Sequence, residues 1–195
     1  MKKVYLIGLG NPGFQYKNTR HNAGFMMVDR FVRRRGRIEA KRRTRSKFVR
    51  EVKFDDHSVI TVKPLLYMNR SGDALLSMRD ELSDGDSRLI VVFDDVSLPF
   101  GSLRLRPGGG AGGHKGAGSI IKMLKTEEFP RLRIGIGAEA EMPLEDYVLL
   151  PFTRGQRAAL PELLDRACDA VETFITDGME AAMNRFNQRE SSPDP

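Results

Sequence analysis

The stretch SRLIVVFDD, residues 87–95, constrains this chain more than any other. Its five consecutive apolar residues, Leu89 to Phe93, are what a central strand buried on both faces requires. Such a strand needs covering layers on each side, and the rest of the chain supplies them. Residues 3–9, SLRLRP (102–107) and RLRIGIG (131–137) read as further strands, and KFVREVKF with SVITVKPLL as a hairpin around the turn DDHS. His57 in that turn is expected to be an exposed loop residue. Met27, Val28, Phe31 and Val32 form a stripe of helical period. Residues 160, 163, 164, 167, 171, 174 and 175 form a longer stripe that Gly178 ends, and MEAAMNRFN continues as helix. SGDALLSMRDEL reads as one helix capped by Ser71, and SIIKMLK as a short one. Strands alternating with helices predict an α/β fold: a single domain over 1–187, with a twisted mixed β-sheet flanked by α-helices. Residues 188–195 are expected to be a disordered polar tail.

Composition narrows the function classes. No apolar run approaches the ~20 residues of a membrane span, and Met-Lys-Lys leads at once into a strand-like run, so a cytoplasmic protein is expected. The one cysteine, Cys168, excludes an internal disulfide and a multi-cysteine metal site, and its apolar helical setting marks a core residue. The formal net charge is +6, which points to an anionic partner. Residues 30–47, RFVRRRGRIEAKRRTRSK, hold ten Lys/Arg against one acid, Glu39. That density favours phosphate-backbone binding over a merely solvated face.

Two glycine-rich loops invite a cofactor reading. Gly8-Leu9-Gly10-Asn11-Pro12-Gly13 satisfies the G-x-G-x-x-G pattern, but a dinucleotide-binding turn opens straight into a helix. Here Pro12 makes Asn11 favour an extended or turn conformation, and helical periodicity starts only near residue 23. Gly10 and Gly13 instead suit a sharp turn at the sheet edge that fixes Asn11 over a cleft. A nicotinamide-dependent enzyme is thus the weakest of three readings, and no cofactor is expected. PGGGAGGHKGAGS is not a magnesium–nucleotide loop either, because His114 and Gly116 stand where that pattern needs glycine and Ser/Thr. Its exposed amides, followed by a helix, suit an anion or a carbonyl.

Four polar residues fall at the ends of predicted elements: Asn11, His21, Asn69 and Asp94. Strand ends on the carboxyl side are where α/β proteins place their sites. His21 precedes the first helix, whose dipole opposes an imidazolium, and a neutral imidazole is what a general base requires. A carboxylate such as Asp94 would accept the other ring N–H and fix the tautomer. No serine or cysteine stands in a nucleophile motif, so the pattern is that of a histidine–aspartate pair activating water.

GLGNPGFQYKNTRHNAGF, LLYMNRSG, FDDVSLPFGSLRLRPGGGAGGHKG and RLRIGIG resemble, in order, the signature blocks of bacterial-type peptidyl-tRNA hydrolases, over residues 3 to about 187. The resemblance implies hydrolysis of the ester between a peptide and the terminal ribose of tRNA by a monomer without metal. It implies that His21 is the general base and that Asp94, not the adjacent Asp95, orients it. Asn11 would contact the peptide part, and Asn69, with Tyr67 and Met68, would bind near the scissile ester. Tyr16 would lie beside the tRNA end, and Arg106 and Arg133 near tRNA phosphates. AEAEMPLEDYVLLPF resembles the family's mobile segment beside the cleft. The partner implied is peptidyl-tRNA, with the basic segment 30–47 meeting acceptor-arm phosphates. One departure is central: Lys115 stands where the family usually has asparagine, and lysine donates but cannot accept. A second reading follows from it, an RNA-binding protein on the same scaffold with catalysis weakened or lost.

Overall fold

The computed structural model describes residues 2–83, 88–138 and 142–187. Strand β1 (Lys2–Gly8) leads through two short 3-10 turns into helix α1 (Ala23–Arg35). Strands β2 (Ile38–Arg43), β3 (Lys47–Phe54) and β4 (His57–Pro64) follow, then the short helices α2 (Ser71–Leu75) and α3 (Arg79–Ser83). Strands β5 (Arg88–Asp95) and β6 (Leu103–Arg106) precede α4 (Lys115–Leu124) and strand β7 (Arg131–Gly135). Helices α5 (Leu144–Tyr147), α6 (Arg154–Asp177) and α7 (Met179–Phe186) complete the chain as described. The sheet has seven strands in the order β2-β3-β4-β1-β5-β7-β6. β4, β1, β5 and β7 run parallel, while β2, β3 and β6 pair antiparallel, so the mixed sheet expected from the sequence is present.

β1 and β5 lie at the centre because their side chains are apolar on both faces. Val4, Leu6, Ile90 and Val92 pack on one side with Phe31 of α1 and Val171 and Phe174 of α6. Tyr5, Ile7, Val91 and Phe93 pack on the other with Leu75 of α2 and Ile120 of α4. Cys168 is in the first of these cores, where burial pushes its thiol up to about 12, so it is an inert packing residue.

Four local readings change. Residues 71–82 are not one helix: a 3-10 turn at Leu76–Met78 separates α2 from α3. Ser71 lies inside the first turn and donates to the Met68 carbonyl at 2.9 Å, so it does not cap. His57 is the half-buried first residue of β4, paired with Phe54, and not an exposed loop residue. The basic segment, legible only as charge, contains strand β2. The expected tail at 188–195 lies outside the described residues.

Helix α1 is pressed onto the end of β1 unusually closely. The Phe25 amide donates to the Leu9 carbonyl (3.1 Å), and the Leu9 amide to Val92 (2.9 Å). A Cβ on Gly24 would fall 2.4 Å from the Val92 carbonyl oxygen and 2.6 Å from the Leu9 backbone, neither of which can swing aside. Gly24→Ala is therefore expected to lower stability by about 2–3 kcal/mol in urea unfolding, the scale of an overpacked core. A wild-type midpoint would show that the helix can back away freely.

Candidate active site

The carboxyl ends of β1 and β5 open into a cleft of about 850 Å³. Asp94, next to last in β5, is 2% exposed at its floor. His21 sits in the 3-10 turn that α1 continues, where its Nδ1 lies 2.9 and 3.0 Å from the two Asp94 oxygens. A second imidazole reaches the same carboxylate: His114 Nε2 is 3.0 Å from Asp94 Oδ1. The two rings are tilted 55° with centroids 5.0 Å apart.

The hydrogen bonds fix the proton positions. His114 is the N-cap of α4, and its Nδ1 accepts the Ala117 amide at 3.1 Å. A ring nitrogen that accepts carries no proton, so Nε2–H is the one that donates to Asp94. His21 likewise donates Nδ1–H to the carboxylate, and no described residue bonds its Nε2. That nitrogen's lone pair is thus left for a reacting proton. Burial alone would raise the Asp94 pKa; the imidazoles of His114 and His21 outweigh it and hold the carboxyl well below the usual carboxylate range.

His21, Asp94 and His114 are also the three residues among those described whose ligand atoms converge closely enough for a metal. Their chemistry does not fit one. Binding a cation through His114 Nε2 would displace the proton that the Ala117 contact places there, leaving an imidazolate.

Asn11 is fixed by both its backbone and its side chain. Asn22 Oδ1 accepts the Asn11 amide (2.8 Å), and Asn22 Nδ2 donates to its carbonyl (3.0 Å). Asn11 Oδ1 accepts the Met68 amide at 2.8 Å, which ties the loop after β1 to the segment after β4. Met68 is buried, while Tyr67 and Asn69 are exposed, and all three line the cleft with Tyr16. The glycines of the first loop serve this packing. A Cβ on Gly10 would strike the Phe25 ring, and Gly13 takes a φ of +114° that favours glycine. The chain then enters a 3-10 turn at Phe14–Tyr16, so no helix opens onto a pyrophosphate there.

Asp95 turns away from the histidines. Its Oδ1 accepts the Ser97 amide (2.9 Å) and hydroxyl (2.7 Å), and its other oxygen pairs with Arg133 Nε. Arg133 lines the cleft, whereas Arg106 is exposed on edge strand β6, outside the lining. Lys115 opens α4, where the helix dipole opposes its charge, and it reaches across the cleft to Glu145 of α5 (3.4 Å). Both side chains of that pair are mostly exposed, which makes it weak. Of the segment beside the cleft, residues 139–141 lie outside the described residues.

Sequence reading brought together His21, Asp94, Asn11, Tyr16, Tyr67, Met68, Asn69, Lys115 and Arg133. It missed His114 and Asn22. The signal for His114 was present: a histidine at the boundary between a glycine loop and a helix is a candidate cap with one ring nitrogen to spare. Asn22 had no comparable signal, because its role is to pin a loop eleven residues away.

Fold and site together define an α/β protein whose buried carboxylate arms a histidine at the sheet's carboxyl edge. The chain belongs to the peptidyl-tRNA hydrolase family, whose model matches residues 5–194. It is 46% identical over 183 residues to the peptidyl-tRNA hydrolase of Carboxydothermus hydrogenoformans, covering 94% of this chain and 97% of that one. It is also 46% identical over 184 residues to that of Chloroflexus aggregans, covering 93% and 97%. A crystal structure of peptidyl-tRNA hydrolase from Acinetobacter baumannii superposes with a TM-score of 0.86 at 28% identity, covering 97% of this chain and 96% of that one. No helix among the described residues is long and apolar enough to cross a membrane.

The Asp94 geometry carries a pH signature. Its carboxylate contributes fully to stability above its unfolded value near pH 4, and the contribution fades as pH falls toward the depressed native value. The stability difference between wild type and Asp94→Asn, read from urea midpoints, is expected to be largest near neutrality and to narrow below about pH 4. A difference that stays constant down to about pH 3 would contradict an ionised Asp94 held by two imidazoles.

Proposed function

We propose that this chain hydrolyses peptidyl-tRNA, with His21 as the general base. The observation that carries this reading is the protonation pattern around Asp94, which leaves His21 Nε2 unprotonated beside the cleft. A water within reach of Nε2 gives up a proton as its oxygen attacks the ester carbonyl carbon. The imidazolium formed is stabilised by Asp94, whose ionised state persists through the working pH range. Collapse of the tetrahedral intermediate breaks the bond to the ribose oxygen, and that oxygen takes the proton back from His21. The products are a free peptide carboxyl and a deacylated tRNA.

The other cleft residues act on binding in this reading. Asn11 has Oδ1 committed to the Met68 amide, so its Nδ2 is the donor available to the peptide part of the substrate. Asn69 and Tyr67 flank the ester, and Tyr16 lies beside the RNA end. Lys115 exchanges its weak pair with Glu145 for an oxygen of the substrate, a donor's part that asparagine could also play. Arg133 and, further out, Arg106 meet phosphates. The enzyme works as a cytoplasmic monomer without metal. The reading of a catalytically silent RNA-binding protein is not favoured, because the proton is taken and returned by His21 alone, held by Asp94 and, through it, His114, and none of these contacts involves Lys115.

Removing the base is the direct test. His21→Ala is expected to lower turnover of an N-acetyl-aminoacyl-tRNA by about 10²–10⁴-fold, with unchanged affinity for deacylated tRNA. Asp94→Asn should slow ester release in the same assay while retaining tRNA binding. Near-normal turnover by folded His21→Ala protein would refute the assignment.

A further inference from the structure

The basic segment divides into two parts with different fates. Arg30, Arg34 and Arg35 on α1 face the acidic side of α6. Arg30 pairs with Asp165, Arg34 with Asp165, Asp169 and Glu172, and Arg35 with Glu172. Those cations hold two helices together and are not available to a partner. Lys41, Arg42, Arg43 and Arg45, on β2 and the turn after it, form no ion pair with any described residue, and all four are exposed.

Beside them the sheet is left partly uncovered. The helices on that face are short, and a groove of about 630 Å³ remains over β2, β3 and β4. Val49, Ile60 and Met78 give it an apolar floor; Lys41, Arg42 and Lys47 give it cations; Thr44, Ser46 and Ser77 give it hydroxyls. Lys47 Nζ already donates to Ser77 Oγ at 2.5 Å. Two acids also line the groove, but each is engaged: Glu51 accepts the Ser58 hydroxyl and Glu81 the Tyr5 hydroxyl. Glu51 lies four residues along β3 from Lys47, about 13 Å away at strand spacing, so the groove is polarised. Its cationic end faces the carboxyl edge of the sheet, where the cleft opens. The two hollows are connected through the chain itself. Lys47 pairs with Pro64, the Leu65 amide donates to Ser46 O at 2.6 Å, and two residues later Tyr67 stands 60% exposed on the cleft wall.

We infer that this groove, with Lys41 and Arg42 in its lining and Arg43 and Arg45 on the same edge of the sheet, forms a second RNA-binding surface, which holds phosphates of the substrate tRNA away from its acylated end. The inference rests on the hydrolase reading for the identity of the RNA. Unpaired arginines and lysine supply the sequence-independent attraction that any tRNA backbone offers. The apolar floor and exposed Tyr67 suit the faces of unpaired bases, and the hydroxyls suit phosphate oxygens. An edge strand needs only a charge or two to avoid pairing with another chain; four unpaired cations beside a hydroxyl-lined groove go beyond that need.

The test compares wild type with the triple variant Lys41→Gln, Arg42→Gln, Arg45→Gln, whose side chains hold no structural ion pair. Two substrates are used: an N-acetyl-aminoacyl-tRNA and a mononucleoside bearing the same acylated ribose. The variant is expected to lose about ten- to a hundredfold in kcat/KM on the tRNA, chiefly through KM, and nothing on the mononucleoside. The slope of log kcat/KM against log salt should flatten by about 2–3, near 0.9 for each phosphate contact removed. An unchanged kcat/KM and salt slope on tRNA would overturn the inference, as would an equal loss on both substrates. If wild type hydrolyses neither substrate, the hydrolase reading fails on its own. Binding of deacylated tRNA then decides the surface: weaker binding by the variant supports it, and equal binding overturns it.

Discussion

Everything at the site depends on one carboxylate kept ionised where water cannot reach it. Asp94 is almost wholly buried, and an unpaired charge there would cost several kcal/mol. Two imidazole N–H groups remove that cost, and each is itself constrained. The Ala117 amide forces His114 to present Nε2–H, and the carboxylate in turn draws Nδ1–H from His21. The helix cap fixes the proton of His114, and the carboxylate, which can only accept, fixes that of His21. A chain with the aspartate and the first histidine but no cap at α4 would lose one of the two donors that offset the burial of the carboxylate.

That arrangement explains why the first glycine loop looks like a nucleotide motif and is not one. Gly10 and Gly24 let helix and strand approach until Phe25 and Leu9 share a backbone hydrogen bond. This contact, with the Asn22 clamp on Asn11, brings the loop after β1 and the turn before α1 to the same end of the sheet. His21 then sits over Asp94 because both neighbouring segments are tied down. Gly24 lets backbones touch and Gly10 makes room for the Phe25 ring, and the chain after Gly10 enters a 3-10 turn and not a helix that could receive a pyrophosphate.

How far the sequence revealed this follows from the range of the interactions involved. β5 and the long stripe of α6 were legible because burial writes a local pattern. His21, Asn11 and Asp94 were legible as polar residues at element ends. The split between α2 and α3 was not, since Leu75, Met78 and Leu82 keep an apolar spacing that either one helix or two can bury. The division of the basic segment was also hidden. Whether Arg34 is spent on Asp169 or Arg42 is left unpaired depends on residues more than a hundred positions away. The choice between Asp94 and Asp95 was invisible for another reason. Strand alternation says only that the two point to opposite faces, and the helix that brings His114 decides which face becomes the site.

Lys115 then becomes intelligible as a tolerated departure. The proton moves between water, His21 and the leaving oxygen, while Asp94 and His114 only hold His21 in place; Lys115 is next in sequence to His114 but makes none of these contacts. Its charge is unfavourable at the first position of α4, and a weak exposed pair with Glu145 is its sole ion pair among the described residues. A side chain so poorly held costs little to move when a substrate oxygen arrives. Had lysine appeared at Asn11 instead, the Met68 amide would lose its acceptor and the two loops their tie. The difference between the positions is whether the side chain holds the site's walls together or only borders the opening. That difference lies in which polar atoms are already committed within the protein, so it can be read from the hydrogen bonds before any substrate is bound.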